Sequence, residues 1–192
     1  FRTEAISQQT SYYATHYPNE GSPFSNTVYE TGPKGRPLSI LKPGGIFRTT
    51  GRKSEMEYGV NDAADCVRRL IDHDEENTVI IDGYYPAGAL QKVSTTDEDG
   101  HEVMVFSDAF GRKILSRSTM DNSYADTYFI YDTRDKLKYV IQPEGVSHID
   151  ESVVVGSSGI LLDSTFIDLY CFTWKYDAWN NVVDSHVPGG GH

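Results

Sequence analysis

The sequence predicts a mainly β protein: antiparallel hairpin repeats forming a sheet, with one or two short helices packed on it. Three observations predict this. Turn signatures led by an acid recur along the chain, and apolar and polar residues alternate with period two beside them. Pro or Pro-Gly closes most of the units.

The 192 residues suffice for one domain with a core or for several stacked small units. With 38% hydrophobic and 23% charged residues, the chain is neither a disordered tail nor a membrane protein. No apolar run approaches the roughly 18–20 residues of a bilayer span. The formal charge of −11 opposes contact with phosphate backbones, and Arg68-Arg69 is the densest basic pair, so no nucleic-acid partner is expected. The opening "FRTEAISQQT" lacks the charged start and apolar stretch of a signal peptide. Its first residue is Phe, which predicts a processed or excised piece.

Residues 1–27 read as an N-terminal arm and 28–192 as the β domain. Four stretches align within it: "VYETGPKGRPLSILKPGG" (28–45), "VFSDAFGRKILSRSTMD" (105–121), "IYDTRDKLKYVIQPEG" (130–145) and "KYDAWNNVVDSHVPGG" (175–190). One column holds Gly35, Gly111, Asp135 and Asn180, residue types that tolerate the left-handed backbone of a bulged hairpin turn. The next holds Arg36, Arg112, Lys136 and Asn181. An acid leads each turn, Glu30, Asp108, Asp132 and Asp177, where it can accept the turn's N–H groups. Pro43, Pro143 and Pro188 end three units, since Pro cannot donate to a ladder; Thr119 is the exception.

Between the turns, Ala63, Cys66, Val67, Leu70 and Ile71 fall at helical spacing. They predict a helix over about 62–72, capped by Asn61 or Asp62, with Arg68 and Arg69 on its solvated face. "TVIIDGYYPAGALQKVSTTDEDGHEVMVFSD" predicts three strands with "DEDG" as a hairpin turn. Segment 146–169 reads as an insertion with a loop around Gly156–Gly159 and a short helix after Asp163 or Ser164. Phe172, Trp174 and Tyr176 alternate with Thr173 and Lys175, a half-buried strand.

These units resemble those of the RHS/YD-repeat proteins, particularly the large Bacteroidetes cell-surface type with an N-terminal region ahead of its repeat core. "IYDTRDKLKYVIQP" and "KYDAWNNVVDSHVPGGG" look like the family's Y-D-x-x-G-R-L…V…P-x-G unit. "YPAGALQKVSTTDEDGHEVMVFSDAFGRKILSR" resembles the hairpin ahead of them. "SPFSNTVYETGPKGRPLSILKPGG" and "EYGVNDAADCVRRL" resemble the N-terminal region. The likeness runs from about residue 22 to the end. Asp135 and Asn180 depart from the turn Gly, and the second unit lacks its Pro. The resemblance implies a non-catalytic structural segment of a larger secreted or surface protein, forming part of a β-repeat shell or its N-terminal section. Its partners would be the remaining repeats and the C-terminal domain of the parent. The residues it marks are structural: Gly35, Arg36, Asp108, Gly111, Arg112, Asp132, Asp135, Pro143, Asp177, Asn180 and Pro188.

No catalytic, metal or cofactor constellation is expected. Asp97, Glu98, Asp99, His101 and Glu102 are rich in oxygen but lack EF-hand spacing, and read as an acidic hairpin tip. "GSSG" at 156–159 is not a nucleophile elbow. The six histidines, His148 and His186 among them, show no ligand spacing. Cys171, weighed as a nucleophile beside His148 or His186, lies in a strand pattern, so burial in the core is the reading. Cys66 and Cys171 read as two small buried hydrophobes, with a single disulfide as the alternative. Thirteen tyrosines and 12% aromatic content leave a second function, a glycan-binding or adhesion module using exposed tyrosines.

Overall fold

The computed structural model describes residues 4–18, 22, 24–73, 78–121, 123–149 and 160–189. It is mainly β and divides into two compact units, residues 1–57 with 94–102, and residues 58–93 with 103–192.

In the first unit, helix α1 (Ala5–His16) buries none of its residues. Strand β1 (Asn26–Tyr29) pairs antiparallel with β2 (Pro37–Leu41). β2 pairs with the start of β3 (Ser54–Val60), Ser39 opposite Glu55. After Pro43 the chain enters the short helix α2 (Gly45–Thr50), which ends at left-handed Gly51.

The predicted helix over 62–72 does not form. Asp62 caps a single 3-10 turn, Ala63–Asp65, and Asp65 caps back onto the Asp62 N–H. Cys66 is left-handed at φ 47°, which ends the helix after one turn. Asn61, 1% exposed, anchors the entry: its side chain accepts from Leu90 N–H and donates to the Pro86 carbonyl. Arg68–His73 is instead strand β4, paired antiparallel with β5 (Thr78–Tyr84). The capping signals at Asn61 and Asp62 are real, but ladder bonding and β-branched packing claim the residues after Cys66. Two further expectations fail with the helix. Cys66 is exposed rather than buried. Arg68 is buried, and its N–H donates to the Tyr128 hydroxyl.

β6 (Gln91–Thr96) and β7 (Glu102–Ser107) come next, then β8 (Lys113–Met120), β9 (Ser123–Tyr131) and β10 (Leu137–Ile141). Thr119 needs no Pro because β8 continues through left-handed Asp121 directly into β9. Pro143 stops β10 and occupies the first turn of helix α3 (Pro143–Ser147). Residues 150–159, with Gly156–Gly159, lie outside the described residues. Beyond them β11 (Ile160–Leu162) pairs with β5, and Asp163 caps helix α4 (Ser164–Tyr170) through the Phe166 N–H. β12 (Cys171–Tyr176) and β13 (Val182–His186) form the last hairpin.

In the second unit the main sheet runs β7-β8-β9-β10-β12-β13, and a smaller one runs β11-β5-β4. Register places Phe106, Leu115, Tyr128, Ile141 and Cys171 in one row across five strands. None of the five exceeds 1% exposure. Val79, Ile81, Leu162 and Ile167 belong to the same core. α3 and α4 meet where Gly145 leaves no room for a side chain: a Cβ there would lie 2.7 Å from the Tyr170 Cβ. No helix of the described residues is long and apolar enough to cross a membrane.

Candidate functional site: a latched row of hairpin turns

The predicted turn columns have a common geometry. In the turn Asp108–Arg112, the Asp108 N–H donates to the Arg112 carbonyl and the Gly111 N–H to the Asp108 carbonyl, both at 3.0 Å. One Asp108 carboxylate oxygen accepts the Phe110 and Arg112 N–H groups at 2.9 Å. The same four bonds recur in Asp132–Lys136 and Asp177–Asn181. Gly111, Asp135 and Asn180 all have positive φ, 80°, 61° and 66°. Gly35 (φ 57°) ends a longer loop in which Glu30 holds the Arg36 guanidinium and accepts the Arg36 N–H at 3.4 Å. This is a three-residue hairpin loop with a left-handed bulge, with the acid satisfying the loop's donors.

Sequence reasoning missed one member. Asp97–His101, which reads as an acidic tip, repeats all four bonds, with Gly100 at φ 87° in the left-handed position. The signal was present as D-x-x-G followed by a polar residue, eleven residues before Asp108. Asp97, Asp99 and His101 also bring their ligand atoms within 4.8 Å of one another. Their oxygens are already engaged: Asp97 by its own turn and the His101 ring, Asp99 by Arg52.

Adjacent turns of the second unit are fastened together. Tyr131 precedes Asp132, and its hydroxyl donates to the Lys113 carbonyl of the preceding hairpin at 3.1 Å. Tyr176 precedes Asp177 and donates to the Leu137 carbonyl at 2.8 Å. Lys113 and Leu137 occupy the same position, just past the turn. Arg112 also pairs with Asp135, and the Arg134 guanidinium donates to the Asp177 carbonyl at 3.1 Å. The turns at Asp108, Asp132 and Asp177 therefore stand side by side at one end of the sheet.

Electrostatics fit this clamping. Burial pushes the Asp108 carboxyl up, but hydrogen bonds from Arg112 and the turn N–H groups outweigh it, so the net shift is downward. The side chain and N–H of Asn181 lower Asp177, and the His101 N–H and ring lower Asp97. Behind the row, Arg117 is forked onto buried Asp126 at 2.7 and 2.8 Å and donates to the Asp65 carbonyl, tying the capped turn to the sheet.

The other weighed residues do not assemble. Cys171 and Cys66 are free, and burial pushes the Cys171 thiol up to about 12, the reverse of an activated nucleophile. His148 stacks on Tyr170, and the His186 ring meets the Asp168 carbonyl. The "GSSG" segment lies outside the described residues. Among the described residues, the second unit also carries clefts. One of about 240 Å³ lies beside β4 and β9, and its arginines are committed, Arg69 to Asp82 and Arg112 to Asp108. Another, about 230 Å³, lies beside α4, β10 and β12.

No family model matches the chain, and no curated protein matches it.

Proposed function

We propose that this chain is a non-catalytic structural segment of a larger secreted or surface RHS-type protein, contributing hairpins to a β-repeat shell or to its N-terminal section. One observation carries the reading: successive turns are joined by a tyrosine hydroxyl to the same carbonyl of the hairpin before. Such a joint adds units in series, each burying its row against the last. β13 stands at the end of the strand order and exposes Val182 and Val183. By the spacing of the two existing latches, the carbonyl of Val182 is where the next tyrosine would donate. The partners are then the remaining repeats and C-terminal domain of the parent.

A tandem duplication tests this. Fusing a second copy of residues 171–189 after His192 should slow amide exchange across 182–186 at least tenfold, and Tyr→Phe in the copy should reverse much of the gain. Unchanged exchange on duplication, or a stoichiometric hydrolytic activity of the purified chain lost in Cys171→Ser, overturns the scaffold reading.

A further inference from the structure

The joined turns at Asp108, Asp132 and Asp177 present one loop position alike. Two residues after each acid, a main-chain N–H donates to that acid, and the residue bearing it is exposed at the tip. In chain order these residues are Phe110, Arg134 and Trp179. Phe110 and Trp179, 83% and 82% exposed, are the most exposed large apolar side chains among the described residues. Ala109 and Ala178 stand exposed beside them. Rings so placed contribute little to the core, and aromatic residues are enriched where protein surfaces meet.

The strand order β7-β8-β9-β10-β12-β13 sets successive hairpins two strands apart. Their tips are then spaced by about 10 Å, with Phe110 and Trp179 equally far on either side of Arg134. Equal flanking suits a twofold axis. An axis along the sheet normal through the middle hairpin reverses strand direction and row together. Each hairpin of one copy then meets a hairpin of a second copy end to end, with Phe110 opposite Trp179. The middle hairpin meets itself, and its tip is self-complementary. Arg134 adjoins Asp135, whose side chain is 70% exposed, so each faces the other across the axis. The Arg134 guanidinium gives one N–H to the Asp177 carbonyl and one to Asp132, and keeps donors for a further carboxylate. Charge permits the approach. Asp108, Asp132, Asp135 and Asp177 stand against Arg112, Arg134 and Lys136, so the three turns contribute only −1 of the chain's −11. Two copies meeting here bring little like charge together.

We infer that this turn end is a self-association surface, where two copies of the chain pair about a twofold axis through the middle hairpin. Phe110 and Trp179 pack on either side of the axis, and reciprocal Arg134–Asp135 pairs at its centre set the register. Two aromatic contacts and two ion pairs make a small interface, of transient affinity. It lies apart from the β13 edge and does not rest on the scaffold reading.

The test is sedimentation equilibrium of the whole chain, with amide shifts followed over the same concentrations. Wild type should show a reversible monomer–dimer equilibrium with a Kd on the order of 0.1 mM. Shifts should concentrate in the three turns and leave 182–186 unchanged. Phe110→Ser and Trp179→Ser should each weaken association at least tenfold. Both rings are exposed, so these variants keep the fold, and an unchanged thermal midpoint verifies this. Arg134→Glu and Asp135→Lys should each be monomeric alone, because like charges then face across the axis. Mixed in equal amounts, the two should associate, a rescue that loss of the Arg134 joint to Asp177 would not produce. The inference is overturned if wild type is monomeric at about 1 mM, or if folded Trp179→Ser dimerises like wild type. It is equally overturned if the folded charge variants stay monomeric when mixed, or if the shifts on association fall on β13.

Discussion

At Asp108 one carboxylate oxygen holds two main-chain N–H groups while the other holds the Arg112 guanidinium. Asp108→Ala removes the shared acceptor of those donors and the partner of Arg112 in a turn whose tip is exposed, and should cost about 1–3 kcal/mol at neutral pH. The folded carboxyl titrates below its ordinary value of 3.8, so its stabilisation is full above that value. It is lost as pH falls through the lower folded value. Urea midpoints of wild type and Asp108→Ala should therefore differ at pH 7 and converge in acid; a gap that persists there would place the effect elsewhere. Gly111 has open space where a Cβ would stand, so any cost of adding one comes from its φ of 80° alone. Gly111→Val should destabilise by about 1–2 kcal/mol in chemical denaturation, the penalty of a left-handed L-residue. Both residues were legible in the sequence because turn geometry restricts residue type strongly. Cys66 was not: nothing in its neighbours' spacing reveals a left-handed position, and its helical companions Val67 and Leu70 serve a strand equally well.

Among elements, the hairpins were legible and the segment at 62–72 was not. Asn61, Asp62 and Asp65 carry real capping chemistry, but Asp62 and Asp65 spend it on each other within one turn. Whether the chain then continues as helix depends on β5, whose Val79 and Ile81 pair with Asp72 and Leu70. That partner is remote from the local pattern. The turn at Asp97 was legible as a hairpin tip, but its spacing from the aligned units concealed that its backbone bonds match those at Asp108. The latching tyrosines show in the sequence only as packing positions. Tyr131→Phe and Tyr176→Phe keep the rings and remove one hydroxyl each, leaving the carbonyls of Lys113 and Leu137 short of a donor. Each should cost about 0.5–1.5 kcal/mol in urea unfolding. The double variant should lose close to the sum, since the two joints share no partner. Wild-type stability in both single variants would show that the hydroxyls do not fasten the hairpins.

Across the second unit, the row Phe106–Leu115–Tyr128–Ile141–Cys171 sets a gradient of protection. Native-state hydrogen exchange should be slowest in β8, β9 and β10, which have a paired neighbour on each side, and faster in β13 at the end of the order. In the first unit α1, exposed at every residue but Tyr13, should exchange fastest of all its elements. Equal rates in β9 and β13 would contradict this. The cleft beside α4 could not be read from the sequence, because its groups lie at 138–139, 164–168 and 173–175 and meet only through the fold. The tyrosine joints have a different consequence. Each hydroxyl is received by a main-chain oxygen, which every amino acid supplies. Positions 113 and 137 can therefore change identity without loosening the fastening. The joined turns also share one end of the sheet, so the connections at the opposite end carry none of that load. Those connections differ widely in length: β8 passes to β9 through a tight turn at Asp121, while β10 reaches β12 only after α3, β11 and α4. Lengthening an unloaded connection costs only slowly growing closure entropy. Such an array can gain whole segments at that end while its hairpins stay in register.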